Sequence, residues 1–287
     1  MNAGSGAGTL FVVATPIGNL ADMTERALRT LREVELVLAE DTRVSGALLR
    51  YFGISTAVQS LHAHNERRRT RELLARLEKG ASLALITDAG TPLVSDPGSM
   101  LVRAAREAGM RVVPVPGASA PIAALSVSGL VVDRFSFEGF LPAAASARRQ
   151  VLEALRDERR TMVFFEAPHR ITASLRDMAA TFGVDRRACL AREMTKLFET
   201  IVTDRLAALL ALVESDPGQC RGEMVVCVEG AAAPEPALSE GRRVASILAR
   251  YLSPSQAAAA AAEITGVHRK TIYRQMLADG DGDAGRT

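Results

Sequence analysis

Ionisable side chains in this chain gather directly behind short, uncharged apolar runs. Glu40-Asp41-Thr42-Arg43 follows LVLA, and Asp88 follows SLALIT and is joined eight residues on by Asp96. Further along, Glu166-Ala167-Pro168-His169-Arg170 follows TMVFF, and Arg192-Glu193-Met194-Thr195-Lys196 follows ACLA. Carboxylates in such places can take up a proton, and cations beside them can ease the ionisation of a hydroxyl or hold an anion, so the chemistry on offer is general acid–base work. Each cluster also has a plainer reading. Asp41 is placed to cap a helix, and taken alone that reading is the better one. One cluster at a strand end reads equally as a salt-bridge network, whereas two of them facing the loops of another sheet are better explained by a cleft.

Metal chemistry is disfavoured, since His62 and His64 lack a third ligand at any standard spacing. Cys189, Cys220 and Cys227 are too few and too far apart for a disulfide framework or a C-x-x-C site, which fits a reducing cytosol and small apolar core residues. Arg67, Arg68, Arg69 and Arg71 fall in one five-residue stretch, where they can touch a phosphate backbone or form a solvated helix face.

The elements that must position these groups follow from apolar periodicity. Residues 82–87 read as a buried parallel strand that stops at Asp88-Ala89-Gly90-Thr91-Pro92, a loop stiffened by Pro92 and Pro97 and given backbone freedom by Gly90 and Gly98. Residues 10–14 run into Thr15-Pro16-Ile17-Gly18-Asn19, and residues 112–115 into Pro116-Gly117-Ala118-Ser119-Ala120. Three strand-to-loop junctions of like design, with helices predicted over 24–37 and 100–108 and a strand over 36–39, argue a parallel sheet with a site along its carboxyl edge. From Phe135 the pattern changes to alternating aromatics, a hinge at 142–145, and a basic helix carrying Arg148, Arg149, Arg156, Arg159 and Arg160. Strands over 161–166, 187–192, 199–203 and 223–229 alternate there with helices over 170–181 and 205–213. The fold class is α/β, with two α/β domains and a C-terminal helical, helix-turn-helix-like segment.

A chain of 287 residues with 48% apolar content can bury the cores of two domains, and a net charge of +2 confines any affinity for nucleic acid to local clusters. The segments are a disordered tail at 1–8, α/β domains at 9–134 and 135–230, a linker at 231–238, a helical nucleic-acid-binding-like module at 239–280 and a second disordered tail at 281–287. Gly4, Gly6 and Gly8 follow no strand and make no dinucleotide fingerprint. With neither a signal peptide nor an apolar run of membrane-spanning length, the expectation is a soluble, cytoplasmic protein without a membrane partner. In the last segment Ser253-Pro254-Ser255-Gln256 carries a capping box with Pro at the first helical position, Gly266 ends that helix, and the next one turns Ile272 and Met276 one way and Lys270 and Arg274 another. That pattern fits a nucleic-acid module and a helical hairpin packed on a dimer about equally.

ATPIGNLADMT, AEDTR, HNE, TDAGTPLVSDPG, VPGASA, FFEAPHR, REMTKLFET and RGEMVV, in that order from Thr9 onward, resemble the tetrapyrrole methylase superfamily, the class III S-adenosylmethionine-dependent methyltransferases. Within it they are similar to the bacterial 16S ribosomal RNA (cytidine) 2′-O-methyltransferases. The resemblance implies a homodimer, S-adenosylmethionine as cofactor in the cleft between the two α/β domains, and ribosomal RNA or the assembled small subunit as partner. It implies that Pro16, Gly18, Gly90, Thr91, Pro92, Val94, Ser119, Ala120, Ala167 and Met194 line the cofactor pocket. Thr91 stands where corrin and porphyrin methylases carry Asp, which weighs against the porphyrin-type reading.

Methyl transfer from a sulfonium to a ribose hydroxyl needs alignment, an acceptor for the proton and no metal. Asp41, Asp88, Glu166, His169, Arg192, Glu193 and Lys196 are the candidates. Asp88 and Glu166 are favoured as acceptors with Lys196 as the catalytic cation. Arg43, Arg67, Arg68, Arg170, Lys196, Lys270 and Arg274 are expected to grip RNA. Two other classes remain: a methylase of a tetrapyrrole or other small molecule with the same fold, and a non-enzymatic RNA-binding or assembly protein.

Overall fold

In the computed structural model, which describes residues 8–232 and 235–280, the uncharged apolar runs become the inner strands of two five-stranded sheets. The chain divides into two compact units, one up to Glu229 and one from Gly230. Both sheets belong to the first.

The first sheet is wholly parallel. It comprises β1 (Thr9–Val13), β2 (Leu36–Ala39), β3 (Val58–Ser60), β4 (Leu83–Leu85) and β5 (Arg111–Val115), in the order β3-β2-β4-β1-β5. Side chains alternate with period two, as a sheet covered on both faces requires. Val13, Val37, Ala39 and Ala84 point to the face covered by α1 (Glu25–Glu33) and α2 (Thr42–Tyr51). Leu10, Leu36, Leu38, Leu83 and Leu85 point to the face covered by α3 (Glu66–Glu78) and α4 (Ser99–Glu107). The neighbours β1 and β4 thus send their helices to opposite faces, which opens a crevice beyond their carboxyl ends.

The helix expected over 24–37 stops at Glu33, although Thr24 caps it as expected by accepting from the Ala27 N–H. Strand β3 carried no sequence signal. It is three residues long, half-buried, and lies on the sheet edge. Gly98 leaves the start of α4 without a side-chain cap, and the buried Glu66 of α3 supplies one by accepting from the backbone N–H groups of Met100 (2.7 Å) and Leu101 (3.2 Å).

Helix α5 (Ala120–Val127) leaves β5 and seats itself on the second sheet, where Ala124 and Leu125 pack with Val163, Cys189, Ala191, Val225 and Cys227. Burying a leucine there contributes about 1.5–3 kcal/mol and joins the two halves of this unit into one core. The second sheet has β6 (Phe135–Phe140), β7 (Thr161–Glu166), β8 (Arg187–Arg192), β9 (Thr200–Arg205) and β10 (Met224–Val228), in the order β6-β7-β10-β8-β9. Only β6 and β7 are parallel. Its other face is covered by α6 (Ala145–Ala154), α7 (Ile171–Phe182) and α8 (Leu206–Ser215).

The basic helix expected around Arg148 to Arg160 is corrected. α6 ends at Ala154, and Arg148 is buried with its Nε 2.7 Å from Asp177. Arg156 and Arg160 pair with Glu153 and Glu158.

Among its described residues the second unit holds three helices rather than the expected two: α9 (Glu235–Leu248), α10 (Pro254–Thr265) and α11 (Arg269–Gly280). α9 begins inside the segment read as a linker, because a proline in the first turn of a helix forfeits an N–H that has no partner there anyway. Ser253 and Gln256 form the capping box of α10, Gly266 ends it in the left-handed region, and Ile272 is buried against Ala245, Ala258 and Ala261. The tails expected at 1–8 and 281–287 lie outside the described residues except for Gly8. Among the described residues no helix is long and apolar enough to cross a membrane.

Candidate functional site

The loops after β1, β4 and β5 are stitched to one another at the carboxyl edge. Thr15 and Gly90 exchange backbone hydrogen bonds (2.9 and 3.1 Å), Thr15 Oγ1 donates to the Thr87 carbonyl (3.1 Å), and Thr91 Oγ1 donates to the Ala118 carbonyl (3.0 Å). Gly90 has φ +84°, and a Cβ there would press to 3.3 Å from the Ile17 side chain. The loop after β4 also holds non-glycine residues in the left-handed region, Leu93 (76°) and Ser95 (71°) around Val94, and the loop after β8 holds two more, Glu193 (51°) and Thr195 (67°) around Met194. Each costs about 1–3 kcal/mol and concentrates where backbone is held for a ligand. Val94 and Met194, the bracketed residues, both face the same cavity.

That cavity has a volume of about 410 Å³ and lies between the first-sheet loops and the ends of β7 and β10. Its size suits a small organic ligand, for which roughly 300–1,000 Å³ is usual. Gly90, Thr91, Val94, Ser119, Ala120, Ala167 and Met194 line it, as do Phe140, Phe165, Met224 and Val225. Its polar wall is acidic. Burial, followed by the charge of Asp41, raises Asp88 against the opposing hydrogen bond from the Asp41 N–H (3.3 Å). Burial, together with the charges of Glu40 and Asp88, pushes Asp96 up to about 6. Thr87 Oγ1, buried in the same wall, donates to the Asp96 carboxylate and opposes that rise. Clustered carboxylates fit a cationic ligand.

A second cavity, about 440 Å³, shares Ile17, Asp88, Ala89 and Glu223 with the first. Pro16, Gly18, Leu20, Leu48, Tyr51 and Lys196 are among its other lining residues. Lys196 Nζ sits 2.7 Å from Glu193 and 2.9 Å from Glu223. Burial works against its charge, but the two carboxylates outweigh burial and hold its pKa above the usual lysine value. A Cβ on Gly18 would lie 2.6 Å from Lys196 Cγ, so only glycine lets this lysine pass.

The expected site residues therefore divide. Seven of the ten cofactor candidates line the first cavity, Pro16 and Gly18 line the second, and Pro92 is buried behind the loop. Asp88 lines both cavities, Glu166 the first and Lys196 the second. Glu166 is not disposed as a proton acceptor, because its side chain is 1% exposed and already accepts from the Ala167 N–H (2.7 Å), Ser174 Oγ and Arg170 (2.8 Å). Arg170, expected on a phosphate, is spent on Glu166 and the Leu141 carbonyl. Arg192 braces the Phe198 carbonyl and Thr200. Asp41 caps α2 and is lowered to about 2 by its hydrogen bonds to Arg43, whose guanidinium stays 89% exposed. Arg67 and Arg68 are exposed on α3, and Lys270 and Arg274 on α11.

Sequence reasoning passed over Thr87, Glu223, Phe140, Phe165 and Tyr51 as site residues. It placed Asp96 beside the loop without giving it a role.

The profile of the family described as Tetrapyrrole (Corrin/Porphyrin) Methylases matches residues 9–210, and the one described as RsmI C-terminal HTH domain matches 235–280. Ribosomal RNA small subunit methyltransferase I of Pseudomonas aeruginosa is 57% identical over 274 residues, 94% of this chain and 97% of that protein. The protein of the same name from Escherichia coli O157:H7 is 49% identical over 277 residues, 96% of this chain and 97% of that one. Uroporphyrin-III-C-methyltransferase from Thermus thermophilus shares the fold, with a TM-score of 0.55 at 22% identity over 77% of this chain and 94% of its own.

Proposed function

The chain belongs to the tetrapyrrole methylase family, and from that premise we propose that it is an S-adenosylmethionine-dependent methyltransferase that methylates the 2′-hydroxyl of a cytidine in small-subunit (16S) ribosomal RNA. The observation that carries the reading is 57% identity, across 97% of its length, with a protein named for that substrate class. The substrate is free ribosomal RNA or the assembled small subunit, and the setting is the cytoplasm. The working form is a homodimer, which would cover the apolar surface left at Ile122, Val127, Val131 and Val132.

The first cavity fits the cofactor. Its clustered carboxylates answer a molecule with a sulfonium and an ammonium group, and Gly90, Thr91, Val94, Ser119, Ala120, Ala167 and Met194 would hold it. When bound, S-adenosylmethionine supplies an activated methyl group. The chain's own work is alignment, to within about 3–3.5 Å of the attacking oxygen, and removal of the hydroxyl proton. Asp88, in the wall common to both cavities, takes that proton. Lys196, fixed by Glu193 and Glu223, steadies the developing negative oxygen from the far side. Arg43, Arg67, Arg68, Lys270 and Arg274 hold phosphates.

The test is label transfer from methyl-labelled S-adenosylmethionine to 30S subunits and to free ribosomal RNA from a strain lacking the gene. Label on a cytidine ribose supports the reading; label confined to a tetrapyrrole, or none with cofactor bound, rejects it.

A pH dependence follows from Asp96. A cation binds the ionised carboxylate better than the acid, so cofactor affinity weakens as pH falls through about 6, by up to about tenfold per unit. The same group opposes folding increasingly as pH rises from its ordinary 3.8 to about 6, and the bound cation offsets that cost. Calorimetric titration from pH 5 to 7.5 should show the slope in the wild type and a flat profile in Asp96→Asn. A flat wild-type profile removes Asp96 from cofactor binding.

A further inference from the structure

Helix α2 leaves apolar surface uncovered on the side where an α/β helix of this kind would bury it. Leu49 is buried against the sheet, yet Val44 is 49% and Tyr51 67% exposed, and with Leu48 they line the second cavity at helical spacing. Phe52 meets the Tyr51 ring edge-on at 5.0 Å and steadies it. Ser45, on the same helix, is 1% exposed and lines the same cavity, and its Oγ has no hydrogen-bond partner. The far end is polar, with Asp88, Glu223 and Lys196. An occupant must therefore offer a flat apolar face at one end and hydroxyl groups at the other.

We propose that this cavity receives one unpaired nucleotide of the RNA acceptor, its base stacked on Tyr51 and its ribose turned toward Asp88. The inference rests on the methyl-transfer reading above, because only a group lodged beside Ile17, Asp88 and Glu223 borders the donor cavity. Single-stranded RNA is recognised in this manner, by splaying a base onto an aromatic ring while cations track the backbone. Arg43 and Arg50 stand exposed along α2 and would meet the flanking phosphates. That charge favours a polyanion over a second copy of this chain, whose covering surface would have to bury both arginines. Ser45 Oγ would find its missing partner on the nucleotide.

The experiment measures kcat/KM for methylation of 30S subunits, cofactor affinity and sedimentation for the wild type, Tyr51→Ala, Tyr51→Phe and Ser45→Ala. Tyr51 is an exposed side chain, so its truncation leaves the thermal midpoint in place. Tyr51→Ala should lower kcat/KM about 5- to 150-fold through KM, the range set by one base–aromatic stack, with cofactor affinity unchanged. Tyr51→Phe should restore it, and Ser45→Ala should show a smaller loss of the same kind. Tyr51→Ala within twofold of wild type overturns the proposal. So does a loss of activity accompanied by dissociation of the oligomer, which would make the face a contact between copies. Failure of the wild type on every RNA would reject the methyl-transfer reading itself and is distinct from either result.

Discussion

Asp88→Asn lowers the rate of methyl transfer about 10²- to 10⁴-fold, the usual span for losing a positioned proton acceptor, while cofactor affinity changes far less. The substitution keeps the shape of the side chain and an oxygen for the Asp41 N–H to bond, so the loop that joins the two cavities is undisturbed. What it removes is basicity. Burial and the neighbouring Asp41 charge raise Asp88 above an ordinary carboxylate, which makes it a better proton acceptor for as long as it stays ionised. The wild-type single-turnover rate accordingly climbs with pH through the Asp88 titration and then levels. In the Asn variant that climb disappears. Single-turnover methylation with saturating cofactor, between pH 4.5 and 8, reads both effects at once. A variant within threefold of wild type would place deprotonation elsewhere.

Glu166→Ala destabilises the chain by about 3–5 kcal/mol, the cost of breaking a buried ion pair on one side. Three donors converge on this carboxylate: the Ala167 N–H, Ser174 Oγ and the Arg170 guanidinium, which is only 18% exposed. Truncation removes the partner of the Ala167 N–H and of Ser174 Oγ and leaves the Arg170 charge, which keeps only the Leu141 carbonyl, without a counter-ion. The double change Glu166→Leu with Arg170→Met recovers most of the loss, because two apolar side chains do not carry the desolvation penalty of a lone charge. Urea denaturation midpoints at constant m-value measure both. A loss below 1 kcal/mol combined with abolished methyl transfer would return Glu166 to the chemistry from which its geometry removes it.

The contrast between these two carboxylates marks how far sequence could reach. Both follow an apolar strand, and both are followed by a proline within four residues. Asp88 opens onto two cavities because β4 and β1 send their helices to opposite faces, whereas Glu166 is enclosed by Ser174, one turn into α7, and by Arg170. Strand-end position was legible in both; the direction of each side chain was decided by neighbours distant in sequence. The three stitched loops were legible from their Pro/Gly chemistry, whereas Gly90, Thr91 and Val94 were named as pocket residues by the family resemblance. Phe140, Phe165 and Glu223 were not legible, because their own neighbourhoods read as ordinary strand and turn; the parallel β6–β7 register pairs Phe140 with Phe165, and the antiparallel return of β10 beside β7 brings Glu223 to the same cavity. Tyr51 ends α2, a helix of which sequence marked only the Asp41 cap at the other end. The missed helix α9 shows the same limit, since Pro236 reads as linker unless the first helical turn is known to begin one residue before it.

The three thiols give this molecule a built-in clock. Cys189 and Cys227 face each other in register on β8 and β10, fully buried in the core where α5 meets the second sheet, and burial pushes the Cys227 thiol up to about 12. Cys220 is partly exposed near the end of α8. A thiol reagent added to the native protein therefore finds one cysteine at once and the other two only when the central strands part. The slow phase counts openings of the very core that holds the two halves of the cavity together.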